Sequence, residues 1–63
     1  MENAGRAIKL MREAQGLSQR ELARLARVNP GYLSQVERDL VDPTPRWLEA
    51  VTTALGRNLA GVA

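Results

Sequence analysis

Apolar residues recur along this chain every three or four positions, the period of a helix and not of a strand. Ala4, Ala7, Ile8, Met11 and Ala14 predict a first helix from Asn3 or Ala4 to Gln15, with that stripe turned inward. Arg6, Lys9, Arg12 and Glu13 fall mostly outside the stripe, and Leu10 lies on its flank. Gly16 ends the helix, because glycine takes the left-handed backbone needed just past a helix end. A second helix starts at Ser18, where Ser18 and Glu21 spell the S-x-x-E capping box and Leu17 stands ready as a hydrophobic staple. Its buried face is predicted to hold Leu22, Ala23, Leu25 and Ala26, with Arg20, Arg24 and Arg27 outward.

Asn29-Pro30 starts a third helix that runs to about Arg38 or Asp39. Asparagine is a favoured cap, and proline fits the first helical position, where its missing N–H is not needed. Thr44-Pro45 repeats the device for a fourth helix, whose stripe is Trp47, Leu48, Val51 and Leu55 with Ala54 beside it. Gly56 is expected to stop that helix; Arg57 to Ala63 then forms one short turn or frays. No alternating run of Val, Ile or Thr reads as a strand. The expectation is an all-α chain forming a single domain over residues 1–63.

Composition narrows the chemistry. A chain of 63 residues buries only roughly 60% of its unfolded surface, so the core is small. It contains no cysteine and no histidine. That removes disulfides, thiolate and imidazole metal sites, and the commonest nucleophile and general base. No acidic cluster resembles a calcium loop. No enzyme, metal or cofactor is therefore expected. No run of about 18 apolar residues spans a membrane, and the N-terminus carries no signal region, so a cytoplasmic protein is expected. The net charge is +2, and eight of the nine basic residues are arginine, the side chain suited to forked bonds with phosphate or guanine.

The break between the second and third helices, roughly Arg27 to Asn29, is short enough to make the two cross steeply. On a wheel of 3.6 residues per turn, Leu33 and Val36 point inward with Glu37 beside them. The opposite side carries Gly31, Ser34, Gln35 and Arg38, and Tyr32 falls on the border. Small residues let a helix lie deep in a groove. Glutamine pairs with both edge atoms of adenine, arginine forks onto guanine, and serine serves base or phosphate. The competing explanation is an ordinary solvated face. The short turn and the capped helix before it favour a helix-turn-helix that meets DNA.

Several separated pieces agree in order and spacing: S-Q-x-E-L-A from Ser18, Y-L-S-x-x-E-R from Tyr32, P-x-x-x-W-L from Pro43, and A-L-G from Ala54. Over about residues 4 to 56 the chain resembles the phage repressor and Cro class of helix-turn-helix proteins, the Xre family. The resemblance implies a compact lambda-repressor-like bundle of four to five helices that binds an operator in double-stranded DNA and regulates transcription, usually by steric occupation. It implies that Gln19 contacts phosphate and braces the third helix, and that Pro30, Gly31, Ser34 and Gln35 face base edges. It places Asn29 and Arg38 near phosphate or the outer bases, and pairs Arg12 with Glu37 inside the protein. Arg27 and Asp39 stand where the family often has glycine, so the turn at Arg27 is expected to differ in detail.

Arg20, Arg24 and Arg46 are candidate phosphate clamps, or ordinary solvated arginines. Tyr32 touches a phosphate through its hydroxyl or covers the core edge. Trp47 is expected in the core or on a dimer face. The chain stops soon after its fourth helix, where relatives often dimerise, so a homodimer is expected to be weak or to form only on DNA. An antitoxin that binds operator DNA and also a toxin protein is the alternative; Leu10, Leu40, Val41 and the Leu59-Val62 patch are its candidate surface. The sequence leaves open whether the source is a bacterium or a phage within it.

Overall fold

A computed structural model of the chain describes residues 4–61. Four helices follow one another: α1 (Ala4–Ala14), α2 (Gln19–Ala26), α3 (Pro30–Glu37) and α4 (Pro45–Leu59). α2 packs on α3 and α4, and α1 closes the bundle against α3 and α4. Ile8, Leu22, Leu33, Val36, Val51 and Leu55 meet in the centre, each almost fully buried. Leu17, Val28, Tyr32, Val41, Trp47 and Leu48 cover the edges of that core. Among the described residues no helix is long and apolar enough to cross a membrane.

The three caps form locally. The Ser18 hydroxyl accepts from the Glu21 N–H at 3.0 Å, and the Glu21 carboxylate accepts from the Ser18 N–H at 2.8 Å. Those bonds, the backbone N–H first, pull the exposed Glu21 carboxyl below its ordinary range, because they favour its charged form. Asn29 Oδ1 accepts from the Tyr32 N–H at 3.0 Å, and Thr44 Oγ1 from the Trp47 N–H at 3.2 Å.

The first three helices also end alike. Each reverses through one left-handed residue: Gly16 (φ 71°), Arg27 (φ 58°) and Asp39 (φ 61°). Each time the following N–H reaches back five residues to a carbonyl: Leu17 to Arg12 at 3.1 Å, Val28 to Ala23 at 2.9 Å, Leu40 to Gln35 at 2.9 Å. This is the Schellman arrangement, and it satisfies carbonyls that the helix leaves open. The turn at Arg27 therefore keeps the left-handed geometry that glycine would supply. The side chain carries a steric cost of roughly 1–2 kcal/mol.

Three expectations fail, each for a packing reason. α1 is turned by about one residue, roughly 100°: Gly5, Ile8 and Arg12 are buried, while Ala7, Met11 and Ala14 are exposed. A Cβ on Gly5 would sit 1.9 Å from the Val36 carbonyl oxygen, so α1 meets the end of α3 backbone to backbone. The period of 3.6 marked the helix correctly; the close approach and the buried arginine chose its face. In α2, Leu25 is 40% exposed instead of buried, because the helix packs on the side of Leu22 and Ala23. In α4, Gly56 does not stop the helix, which continues to Leu59. Gln15 holds the extra turn: its Nε2 donates to the Leu55 carbonyl at 3.1 Å, and its Oε1 accepts from Asn58 Nδ2 at 2.6 Å. Gly61 (φ 76°) then reverses the chain.

Candidate nucleic-acid interface

The site is built around α3, and its rear is locked by charge. Arg12 forks onto Glu37: Nε to Oε2 at 2.8 Å and Nη2 to Oε1 at 2.9 Å. The third guanidinium nitrogen, Nη1, donates to the Leu17 carbonyl at 2.8 Å. Gln19 Nε2 adds a bond to Glu37 Oε1 at 3.0 Å. The Glu37 side chain is only 2% exposed and that of Arg12 10%. Burial alone would destabilise both charges, and the paired, forked geometry offsets that cost. The carboxylate holds the guanidinium charged, raising its pKa through their hydrogen bond despite burial. One network thus joins the last turn of α1, the loop before α2, the first residue of α2 and the last of α3. Among the described residues no buried side-chain polar atom lacks a partner.

The front of α3 is open. Pro30, Gly31, Gln35 and Arg38 are exposed, and Ser34 and Tyr32 are half-buried. Within the protein, none of the Ser34, Gln35 and Arg38 side chains makes a hydrogen bond or ion pair to another described residue. Asn29 is exposed, but its Oδ1 is committed to the cap, leaving the amide nitrogen as its outward donor.

Beside this front lies a cleft of about 660 Å³ where the turn, the start of α3 and the start of α4 converge. Polar Arg27, Asn29 and Gln35 line it together with Val28, Gly31, Tyr32 and Trp47. Tyr32 and Trp47 meet edge to face with ring centroids 5.4 Å apart, which joins α3 to α4 at the surface. Trp47 is therefore a half-buried wall between site and core.

The remaining candidates stand apart from the cleft. Arg20 and Arg24 are exposed one turn apart on α2, and Arg46 is exposed in the first turn of α4. Arg38 borders a different groove, against Arg6, Lys9 and Leu10 of α1. Sequence reasoning passed over Gly5, which has no side chain to signal a role. The available sign was a glycine inside a helical stripe, a pattern that points to close packing.

Residues 4–63 match the family described as a helix-turn-helix domain. The immunity repressor protein of Bacillus phage phi105 is 38% identical over 58 residues, covering 92% of this chain and 40% of that protein. The transcriptional regulator ClgR of Mycobacterium tuberculosis is 41% identical over 54 residues, covering 86% of this chain and 48% of its own. The chain thus spans somewhat less than half the length of these relatives. No solved structure matches it significantly. Neither relative is named for an enzyme. With two capped helices crossing at a three-residue turn and that match over nearly its full length, the chain belongs to the helix-turn-helix domain family, of the repressor and Cro (Xre) type.

Proposed function

We propose that this chain is a sequence-specific regulator of transcription that lays α3 in the major groove of double-stranded DNA. The observation that carries the reading is the division of α3 into two sides. Glu37 is tied to Arg12 and Gln19, while the side chains of Ser34, Gln35 and Arg38 bond to no other described residue. A rigid helix with unspent donors and acceptors is what base-edge readout requires.

Gln35 pairs with adenine through its amide. Arg38 takes guanine or phosphate, and Ser34 bonds at the groove edge. Pro30 and Gly31 bring backbone, not side chain, against the bases. Gln19, Arg20, Asn29, Tyr32 and Arg46 hold the two strands by phosphate, which sets register without reading sequence. Occupying the operator blocks polymerase, the mode suggested by the phage repressor among the relatives, and a phage, prophage or bacterial source fits both of them. Two copies bind a palindrome with half-sites about 34 Å apart, as a weak or DNA-dependent dimer. The reading needs no metal or cofactor, and the domain works as one unit in the cytoplasm where its operator lies.

A toxin-binding role is the second reading. Leu10 at 58%, Leu40 at 61% and Leu59 at 76% exposure support it. Val41 is half-buried against the core and leaves that candidate surface, and Val62 lies outside the described residues.

Selection from random duplexes, followed by footprinting, tests the first reading. One palindromic consensus is expected, and Gln35→Ala relaxes preference at one position per half-site. Arg20→Ala weakens every sequence alike and reduces the salt slope by about one. Intact affinity and preference after Gln35→Ala would remove α3 from the groove.

A further inference from the structure

A second surface lies between α2 and α4. Leu25, Ala26, Ala50 and Ala54 floor a groove of about 340 Å³. Leu25 is 40% exposed there, while Leu22 on the inner side of α2 is fully buried. The groove runs beside α4 from Arg46 to Arg57, roughly 16 Å at 1.5 Å per residue. Small alanines keep it shallow, so a helix backbone can come close.

Charge decides what fits. Arg27, Arg46 and Arg57 stand around the groove, with Glu49 as the single acid among its lining residues. None of the three arginines is ion-paired to another described residue; among the described residues the one ion pair is Arg12–Glu37. A second copy packed on the groove about a two-fold axis would bring its own Arg27, Arg46 and Arg57 to the same interface, where Glu49 is the single acid from each copy. That excess of like charge opposes self-association through this face.

We infer that the α2–α4 groove is a docking site for an acidic amphipathic helix of a partner protein. Its apolar side chains cover Leu25 and the alanines, and its carboxylates meet Arg27, Arg46 and Arg57. The inference rests in part on the DNA-binding reading, because Arg46 belongs to both surfaces. Partner and operator then compete for Arg46, so a bound partner loosens the grip on DNA.

The test uses the full chain and a labelled helical peptide of about 14 residues, four turns, with Leu at one stripe and Glu elsewhere. Fluorescence anisotropy is expected to show binding at least about tenfold tighter than for the same peptide with Leu replaced by Ser, from the burial of two leucines. Amide shifts in NMR are expected at residues 25–27 and 46–57. Arg57→Glu is expected to weaken the peptide about tenfold while leaving duplex affinity within a factor of two. Leu25→Ser, on the exposed side of a helix that keeps its fold by circular dichroism, is expected to remove the preference for the leucine peptide. Equal binding of the two peptides, or shifts on α3 instead, overturns the inference. If Arg57→Glu weakens DNA as much as peptide, the groove belongs to the DNA face and the inference fails. Failure of the DNA reading shows differently, as a chain that selects no duplex while its peptide binding is intact.

Discussion

The two ends of α3 are built on opposite plans. The C-terminal end is clamped: Gly5 brings α1 onto the Val36 carbonyl, and Arg12 and Gln19 grip Glu37. The N-terminal end is lightly held: one cap bond from Asn29, a proline, a glycine, and the edge of Tyr32 on Trp47. The clamp carries desolvated charge and touching backbones, which tolerate little displacement. The free end carries groups whose bonds can be exchanged for those of a ligand. Rigidity at the clamped end lets the outer side of the helix, Ser34, Gln35 and Arg38 included, stay open without losing its orientation.

Breaking the clamp is expected to give the largest effect. Glu37→Ala leaves the Arg12 guanidinium buried and unpaired, at a loss of about 3–5 kcal/mol in urea unfolding. A loss below about 1 kcal/mol would mean that water already solvates the pair. Gly5→Ala comes next. Alanine is better than glycine inside a helix by about 1 kcal/mol. A Cβ 1.9 Å from a backbone oxygen cannot be accommodated without moving α1, however. Overpacking of about 1–3 kcal/mol or more should win, so the thermal midpoint falls. A rise in midpoint would show that α1 can tilt away freely.

At the free end, Asn29→Ala removes only a cap, at about 1 kcal/mol. Weaker DNA binding in this variant beyond the stability loss would separate the outward amide from the cap. Smaller still is Arg27→Gly, in the turn that leads into the free end. It relieves a left-handed side chain, worth roughly 1–2 kcal/mol. It also frees the unfolded chain, at a cost of up to about 1 kcal/mol. A net gain below about 1 kcal/mol is expected by differential scanning calorimetry.

The mildest probe is acid. Glu21 has its folded-state pKa lowered, so its capping contribution is complete above the ordinary carboxyl value of 4.5 and fades as pH falls through the lower folded value. Helicity of α2 should therefore decline below about pH 4.5 in the parent, and Glu21→Gln should lose that part of the pH dependence. An unchanged acid profile in Glu21→Gln would assign the decline to other carboxylates.

This contrast also divides what could be read from the chain. Ser18, Asn29-Pro30 and Thr44-Pro45 announced their helices, because a cap acts within three residues and needs no tertiary information. The outward side of α3 followed from the same local period. The clamp is long-range. Gly5 and Val36 stand far apart in the chain, and nothing in the order of residues says that their backbones touch. The face of α1 is not legible in the sequence for that reason, and because a buried Arg12 looks like any solvated arginine until its acid is in place. Its pairing with Glu37 came from resemblance, not from period. The extra turn of α4 depends on Gln15, some 40 positions earlier, so Gly56 alone suggested a stop that packing overrides.

The Tyr32–Trp47 contact has a spectroscopic consequence. The chain contains a single tryptophan and a single tyrosine, and they touch beside the cleft that flanks the open side of α3. Light absorbed by the phenol passes to the indole at that range, so the emission of the whole molecule comes from one place. Any strand, peptide or small molecule that enters the cleft changes the polarity around that one indole. The protein carries its own optical gauge of occupancy, readable without a label.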